Sequence, residues 1–376
     1  MAVVPTLRIG PIDVDPPVVL APMAGVTNVA FRQLCREYGG GLFVSEMQSA
    51  RSVVENGAKV PGRLMFARDE HVRSVQLYGV DPVTVAEATR RVIGEYGANH
   101  VDLNMGCPAP KVTRLGGGAA LPVRQVLFRN IVTAAVQAAG DVPVTVKMRM
   151  GLDDDTLTYL ASGRAAADAG AAAIALHART AEQHYAGYAD WSAIAALKAA
   201  VTTVPVLGNG DIWEAGDAVR MVEQTGCDGV VVGRGCLGRP WLFRDLASAF
   251  AGEPIAPAPL LGEVAAIMRR HARMLVDSKQ SEQIGMRDFR KHTGWYMTGY
   301  PVGSERRREL AQVSTLSELA RVLARIDPLI ELPPGGERLT RGHTSGPRAV
   351  VVPDGWRESF ADPRPPVGAD VVTSGG

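Results

Sequence analysis

Short runs of branched aliphatic residues recur through the first two thirds of the chain, each followed by a longer amphipathic segment. This alternation limits the fold more than any other feature. The runs lie at residues 18–21, 42–45, 74–78, 101–104, 144–148, 173–177, 206–208 and 229–232. The segments between them predict helices over 28–38, 82–96, 123–139, 156–169, 191–200, 214–225 and 240–250, several opened by Asp, Thr or Pro. Eight βα units predict a closed (β/α)8 TIM barrel over residues 1–252. The alternative is an open doubly wound sheet. That fold normally carries a Gly-rich fingerprint after its first strand, where this chain has Ala21-Pro22-Met23-Ala24-Gly25.

A barrel gathers its chemistry at the C-terminal ends of its strands, and polar residues stand there in turn. They are Glu46, Gln76, Asn104 with Cys107, Lys147 with Arg149, His177 with Arg179, Asn209 with Asp211, and Arg234. Any one has an ordinary structural explanation: an ion-paired lysine for Lys147, a satisfied core histidine for His177, a hydrogen-bonded core amide for Gln76. Their convergence favours a shared site. The last two strands end in Gly208-Asn209-Gly210-Asp211 and Gly233-Arg234-Gly235. At those two loops backbone amides can approach a phosphate, and Arg234 adds charge. Lys147 and Gln76 would then face a cofactor ring, where a cation stabilises an anionic reduced flavin. This suggests flavin mononucleotide (FMN).

Cys107 lies in Asn104-Met105-Gly106-Cys107-Pro108, where glycine and proline end the strand, and Lys111 and Arg114 are near in sequence. A cysteine placed there reads as a thiolate or an acid, or else as a half-buried thiol filling a gap. Four cysteines without a CxxC pair or Cys/His ligand spacing favour neither a metal site nor disulfides. A reducing cytoplasm is expected. The N-terminus lacks the pattern of an export signal, and no apolar run is long enough for a membrane span.

After residue 250 a Pro/Gly-rich stretch reads as a linker, followed by a small helical domain over 263–331 with helices at 263–278, 281–297 and 315–326. The net charge of +1 excludes a globally basic coat but leaves room for a basic patch. One is expected between Arg269 and Lys291, with His271, His292, Trp295 and Tyr296 among or beside the cations. A solvated helix face is the plain alternative, whereas aromatics beside cations suit RNA. Residues 333–376 are rich in Pro, Gly and charge, and are expected to be a disordered tail.

Taken together, the motifs resemble the flavin-dependent tRNA-dihydrouridine synthases, most closely the bacterial B-type branch. They run from Ala21-Pro22-Met23-Ala24-Gly25-Val26-Thr27 and Phe31-Arg32 through Asn104-Met105-Gly106-Cys107-Pro108, Lys147-Met148-Arg149 and His177-Ala178-Arg179-Thr180. They continue through Gly208-Asn209-Gly210-Asp211 and Gly233-Arg234 to Arg290-Lys291-His292 and Trp295-Tyr296. The resemblance implies FMN held by Pro22, Met23, Ala24, Gln76, Lys147, Asn209, Gly210, Asp211, Gly233 and Arg234, with His177 and Arg179 beside it. Asp211 stands where the family often has Glu, so a carboxylate is kept.

The resemblance also implies Cys107 as proton donor, Asn104 close to the substrate base and a helical domain that helps to grip tRNA; Lys111, Arg287, Arg290, Lys291 and His292 are the candidate contacts on the substrate side. NADPH, or NADH, would reduce the flavin, and hydride would pass to C6 of a uridine while Cys107 protonates C5. A monomer with no metal is expected. Two rivals stand beside this reading: a flavin barrel acting on a free pyrimidine or other small molecule, and a tRNA-binding protein without chemistry.

Overall fold

The computed structural model describes residues 6–56, 64–342 and 346–366. The chain opens with a hairpin, β1 (Leu7–Ile9) and β2 (Ile12–Val14), turned at Gly10 with φ 57°. Its Leu7, Ile9 and Val14 pack on Val19, Leu42, Ala173, Leu207 and Val231, the inward residues of the strands that follow. The hairpin therefore plugs the floor of the barrel.

Eight parallel strands form that barrel: β3 (Val18–Leu20), β4 (Leu42–Ser49), β5 (Ser74–Tyr78), β6 (His100–Met105), β7 (Val144–Arg149), β8 (Ala173–His177), β9 (Val206–Asn209) and β10 (Gly229–Val232). They close in sequence order, with β10 pairing β3. The expected closed barrel is thus present, with every strand within a few residues of its predicted place.

Around the strands run α1 (Val29–Arg36), α2 (Ala50–Asn56), α3 (Pro82–Gly94), α4 (Pro110–Thr113), α5 (Gln125–Ala139), α6 (Tyr159–Asp168), α7 (Trp191–Ala200), α8 (Ala215–Thr225) and α9 (Leu242–Ala251). Local chemistry fixes their ends. Asn28, Asp81 and Asp190 accept hydrogen bonds from first-turn amides, and Gly226 and Gly252 close α8 and α9 in the left-handed conformation. Outward strand residues such as Val101, Leu103, Val146 and Ile174 pack under Phe128, Ile131, Ile194 and Leu246 of the helices.

Beyond α9 follow α10 (Leu261–Lys279), α11 (Glu282–Met297), α12 (Gly303–Gln312) and α13 (Leu316–Leu323). Helix α12 is additional to the three expected here; its Arg-rich sequence buries a single leucine, Leu310. These helices enclose a core of Met268, Leu275, Met286, Phe289, Leu310 and Leu319, which continues into Ala30, Leu34 and Trp241 of the barrel. From residue 333 onward regular structure among the described residues is confined to one short turn, but Arg341 and Trp356 are buried. Residues 343–345 and 367–376 of this tail lie outside the described residues. Among the described residues no helix is long and apolar enough to cross a membrane.

Arg32 on α1 is buried with Glu70. Its Nε and Nη2 meet the two carboxylate oxygens at 2.6 and 3.0 Å, and its other donor groups reach the Thr27 and Met65 carbonyls. Removing one partner strands a charge in a dry interior. Glu70→Ala should therefore lower unfolding stability by about 3–5 kcal/mol, read from the urea midpoint.

Candidate active site

Strand alternation turns every second residue into the barrel. On β3, β4 and β8 to β10 these are apolar up to the strand ends: Val19, Val44, Ala173, Ala175, Leu207 and Val231, with the polar His177 and Asn209 last on β8 and β9. On β5 to β7 they are polar: Ser74, Gln76, His100, Asp102, Asn104, Thr145 and Lys147. The polar half forms one hydrogen-bonded chain. Ser74 Oγ and His100 Nδ1 are 2.7 Å apart, and His100 Nε2 and Thr145 Oγ1 are 3.1 Å apart. Thr145 donates to Asp102 Oδ1 at 2.6 Å and Gln76 Nε2 to Asp102 Oδ2 at 2.7 Å. The single Thr145 proton is thereby used, so His100 must donate through Nε2 and accept from Ser74. Burial holds His100 neutral, lowering it to about 4, and lifts the Asp102 carboxyl to about 6 against the pull of its two donors.

The chain ends at the cysteine loop. Asn104 Nδ2 donates to Gln76 Oε1 at 2.9 Å, and Asn104 Oδ1 accepts the backbone N–H of Cys107 at 2.9 Å and of Gly106 at 3.2 Å. Asn104 thus folds the loop back over its own strand end. Cys107 is only partly accessible, and burial pushes its thiol up, although Arg149 and Lys111 pull it down. Of the two reactive forms, the structure favours the protonated thiol.

A cleft opens at the ends of β3 and β7 to β10, lined by Pro22, Met23, Lys147, His177, Arg179, Asn209, Gly210, Asp211, Gly233 and Arg234, all of them sites expected from the sequence. Lys147 Nζ donates to Asn209 Oδ1 at 2.9 Å, and Asn209 is held in turn by the Val231 carbonyl at 2.7 Å. Burial, and the charge of Arg149, lower Lys147 to about 8. His177 is held neutral by burial and by Arg149, Lys147, Arg179 and Arg234 around it. Arg179 grips Asp211 with Nη2 at 2.7 and 2.8 Å, and bonds the Ala186 and Gly187 carbonyls. Asp211, at φ 56°, also accepts the Ala189 N–H at 2.6 Å. Arg179 and Asp211 therefore fix the β8 and β9 loops to each other.

Two aromatics that sequence reasoning does not single out complete the cleft. The Arg234 guanidinium lies 4.2 Å from the Tyr185 ring and 5.1 Å from the Trp213 ring. Their one sequence signal is an aromatic in a loop after a barrel strand. Asp102 likewise reads in the sequence as a plain strand residue. Ala24 is exposed on the rim and Lys111 is exposed on α4 beyond Cys107.

Three cations, Lys147, Arg179 and Arg234, against the single carboxylate of Asp211 make the cleft a place for an anion. Lys147 uses one of three ammonium donors on Asn209, leaving two for a ligand. Side chains are excluded at the glycines: a Cβ on Gly210 would lie 2.5 Å from that of Ala189, and one on Gly235 would lie 2.1 Å from the Ile212 carbonyl oxygen. The donor set suits a phosphorylated ring cofactor. Among the described residues no group of His, Cys, Asp or Glu could hold a metal ion.

Helix α11 reaches this mouth. Lys291 Nζ lies 3.3 Å from where a Cβ of Gly25 would stand. Arg287 and Lys291 are exposed and Arg290 is half-buried. His292 does not belong with them. It is fully buried with His271, ring centroids 4.5 Å apart, beside Phe31 and Phe289. Tyr296 is also buried, its hydroxyl 3.1 Å from His271 Nδ1. Helical spacing places Phe289, His292 and Tyr296 on the face turned to α10 and α1, so these rings build the core and cannot stack on RNA.

Residues 19–330 match the family model described as dihydrouridine synthase, leaving the tail outside the match. A probable tRNA-dihydrouridine synthase of Mycobacterium tuberculosis is 54% identical, covering 99% of this chain and 97% of its own. The tRNA-dihydrouridine synthase B of Pseudomonas aeruginosa is 42% identical over 81% of this chain and 90% of its own. Among solved structures, histamine dehydrogenase from Rhizobium sp. 4-9 aligns with a TM-score of 0.53 at 13% identity, over 87% of this chain and 65% of that one, a likeness of fold.

Asp102 makes the barrel pH-sensitive. Its ordinary value is 3.8, and burial raises it to about 6. Between these values the folded chain binds more protons than the unfolded one, so this group's contribution is full below about 4 and is lost as pH rises through about 6. In urea unfolding at pH 4, 5 and 6, Asp102→Asn should lack the decline that the parent protein shows.

Proposed function

The chain belongs to the dihydrouridine synthase family, and on that premise we propose that it reduces uridines of tRNA to 5,6-dihydrouridine, with FMN as cofactor and NADPH, or NADH, as reductant. One observation carries the reading: a part-buried cysteine just past the end of β6 shares the mouth of the barrel with a cation-lined cleft that begins at Lys147 on the neighbouring β7. The phosphate of FMN is assigned to the loops at Gly210 and Gly233 to Gly235, next to Arg234. Its ring is assigned to Lys147, Gln76 and the backbone of Pro22, Met23 and Ala24, with His177 and Arg179 supporting this wall. The chemistry that FMN supplies when bound is hydride for C6 of a uracil ring, following its own reduction by the nicotinamide.

The remaining steps fall to side chains. The Cys107 Sγ–H gives its proton to C5, for which a thiol is suited: protonated near neutrality, yet far more acidic than a hydroxyl. Asn104 holds the Cys107 loop through its Oδ1, so one amide joins the proposed acid to the edge of the proposed substrate pocket. Lys147, charged below about 8, presents its two remaining donors to the ring. The uridine has to leave its stack to reach this mouth. Arg287, Arg290 and Lys291 on α11, with Lys111 on α4, are proposed to hold the RNA backbone while it does so. Residues 263–331 act in this reading as the tRNA-binding domain.

The deciding experiment is to incubate the purified protein with unmodified tRNA and NADPH, and to measure dihydrouridine by mass spectrometry. Its appearance is expected. Bound, reducible flavin without dihydrouridine would move the substrate to a small pyrimidine. Cys107→Ala should keep its flavin and its reduction by NADPH, and lose turnover by about 10²–10⁴-fold. Replacing Arg287 and Lys291 by alanine should weaken tRNA binding and make the slope of log K against log salt shallower by about 0.7–0.9 for each phosphate no longer neutralised.

A further inference from the structure

The tail beyond the helices runs along the rim at the C-terminal ends of the strands and reaches the 3-10 turn that adjoins the cysteine loop. From Arg338, which pairs with Glu214 at 2.7 Å and Asp217 at 2.8 Å on and before α8, it passes Arg348, whose N–H meets the Glu182 carbonyl at 2.9 Å after β8. Arg357 then pairs with Asp153 after β7 at 2.5 Å. The path ends after β6, on the 3-10 turn Gly118–Val123. There Trp356 is buried, and its Nε1–H donates to the Ala120 carbonyl at 2.8 Å. The ring fills the space over Gly116, where a Cβ would lie 2.5 Å from Trp356 Cη2. The Arg124 guanidinium lies 4.3 Å from the indole ring and pairs with Asp362 at 2.6 Å.

That same turn touches Cys107. The Ala119 N–H donates to the Cys107 carbonyl at 3.0 Å. Gly118, at φ +55°, approaches so closely that a Cβ would lie 2.5 Å from the Cys107 carbonyl oxygen. The cysteine loop is thus held from two sides, by Asn104 at its N–H and by the turn at its C=O.

We propose that the tail is a strap that fixes the proton donor, with Trp356 as a positioning residue that holds the turn, and through it the Cys107 loop. The inference rests on Cys107 being the acid. A displacement of about 1 Å at a reacting group can cost about a hundredfold in rate, so a clamp distant in sequence is worth having at this loop. The tail lies outside residues 19–330, the part matched by the family model.

The test uses the full-length, flavin-loaded protein with Trp356→Ala and Trp356→Phe. Three readouts are taken: dihydrouridine formation at saturating tRNA, flavin reduction by NADPH, and alkylation of Cys107 by iodoacetamide located by mass spectrometry. In Trp356→Ala, turnover should fall about tenfold and alkylation should quicken about tenfold, with flavin reduction unchanged. Trp356→Phe keeps an aromatic ring and loses the bond to Ala120, and should shift both in the same directions by about threefold. Parental turnover and alkylation in both variants overturn the strap, and Trp356→Phe alone decides if the alanine variant fails to load flavin. Cys107→Ala separates the two claims. If it keeps turnover, the proton donor falls and the strap's role with it; if it loses turnover while the Trp356 variants match the parent, only the strap falls.

Discussion

A carboxylate inside a barrel is costly unless its oxygens are bonded, and Asp102 is placed there with donors on both. Thr145 and Gln76 are the neighbours that strand register sets opposite it, one on β7 and one on β5. Because Gln76 spends an N–H on Asp102, its carbonyl is turned toward Asn104, and because Asn104 spends an N–H on Gln76, its carbonyl is turned toward the cysteine loop. Amide orientation therefore passes from the dry interior to the mouth. The amide side of the Cys107 loop is set by how one buried carboxylate is satisfied.

The other wall obeys a different rule. Around Arg179 and Asp211 the loops after β8 and β9 are tied by side-chain pairing and by backbone conformations that glycine, or a well-bonded aspartate, can hold. Burial, joined by the positive charge gathered there, lowers Lys147 and keeps His177 neutral, so the imidazole takes up no proton near neutrality and leaves the cations to meet an anion. Lys147 belongs to both walls. It faces Asp102 in the interior and bonds Asn209 at the end of β9. A single lysine on β7 links the two halves of the site.

Much of this is legible in the sequence because period two and strand-end position are local properties. Val-Thr-Val-Lys-Met-Arg reads as a strand whatever surrounds it, and a barrel then dictates where Lys147 and Arg149 point. His292 misleads for the opposite reason. Cations at Arg290 and Lys291 make the segment resemble an RNA surface, but helical spacing places His292 about one turn after Phe289, on the packed face. Tyr185 and Trp213 stay hidden since an aromatic in a loop carries no period, and Asp102 since a strand carboxylate declares no partner until the neighbouring strands are in register. The hairpin at residues 7–14 alternates correctly, but three-residue strands are too short to stand out.

The tail shows the limit most directly. Its composition explains why its described residues hold almost no helix or strand: proline and glycine break both, and few apolar residues are available to bury. Composition cannot say that one tryptophan finds a glycine-made recess on a turn 236 residues earlier in the chain. Docking of this kind depends on the receiving surface, here a turn whose own glycines leave room on one side for an indole and on the other for the cysteine backbone. Gly116 and Gly118 thus do at one turn what Gly210 and Gly235 do at the proposed phosphate loops, creating a close approach that no side chain could share. In both places it is the missing Cβ that lets distant segments meet at the site.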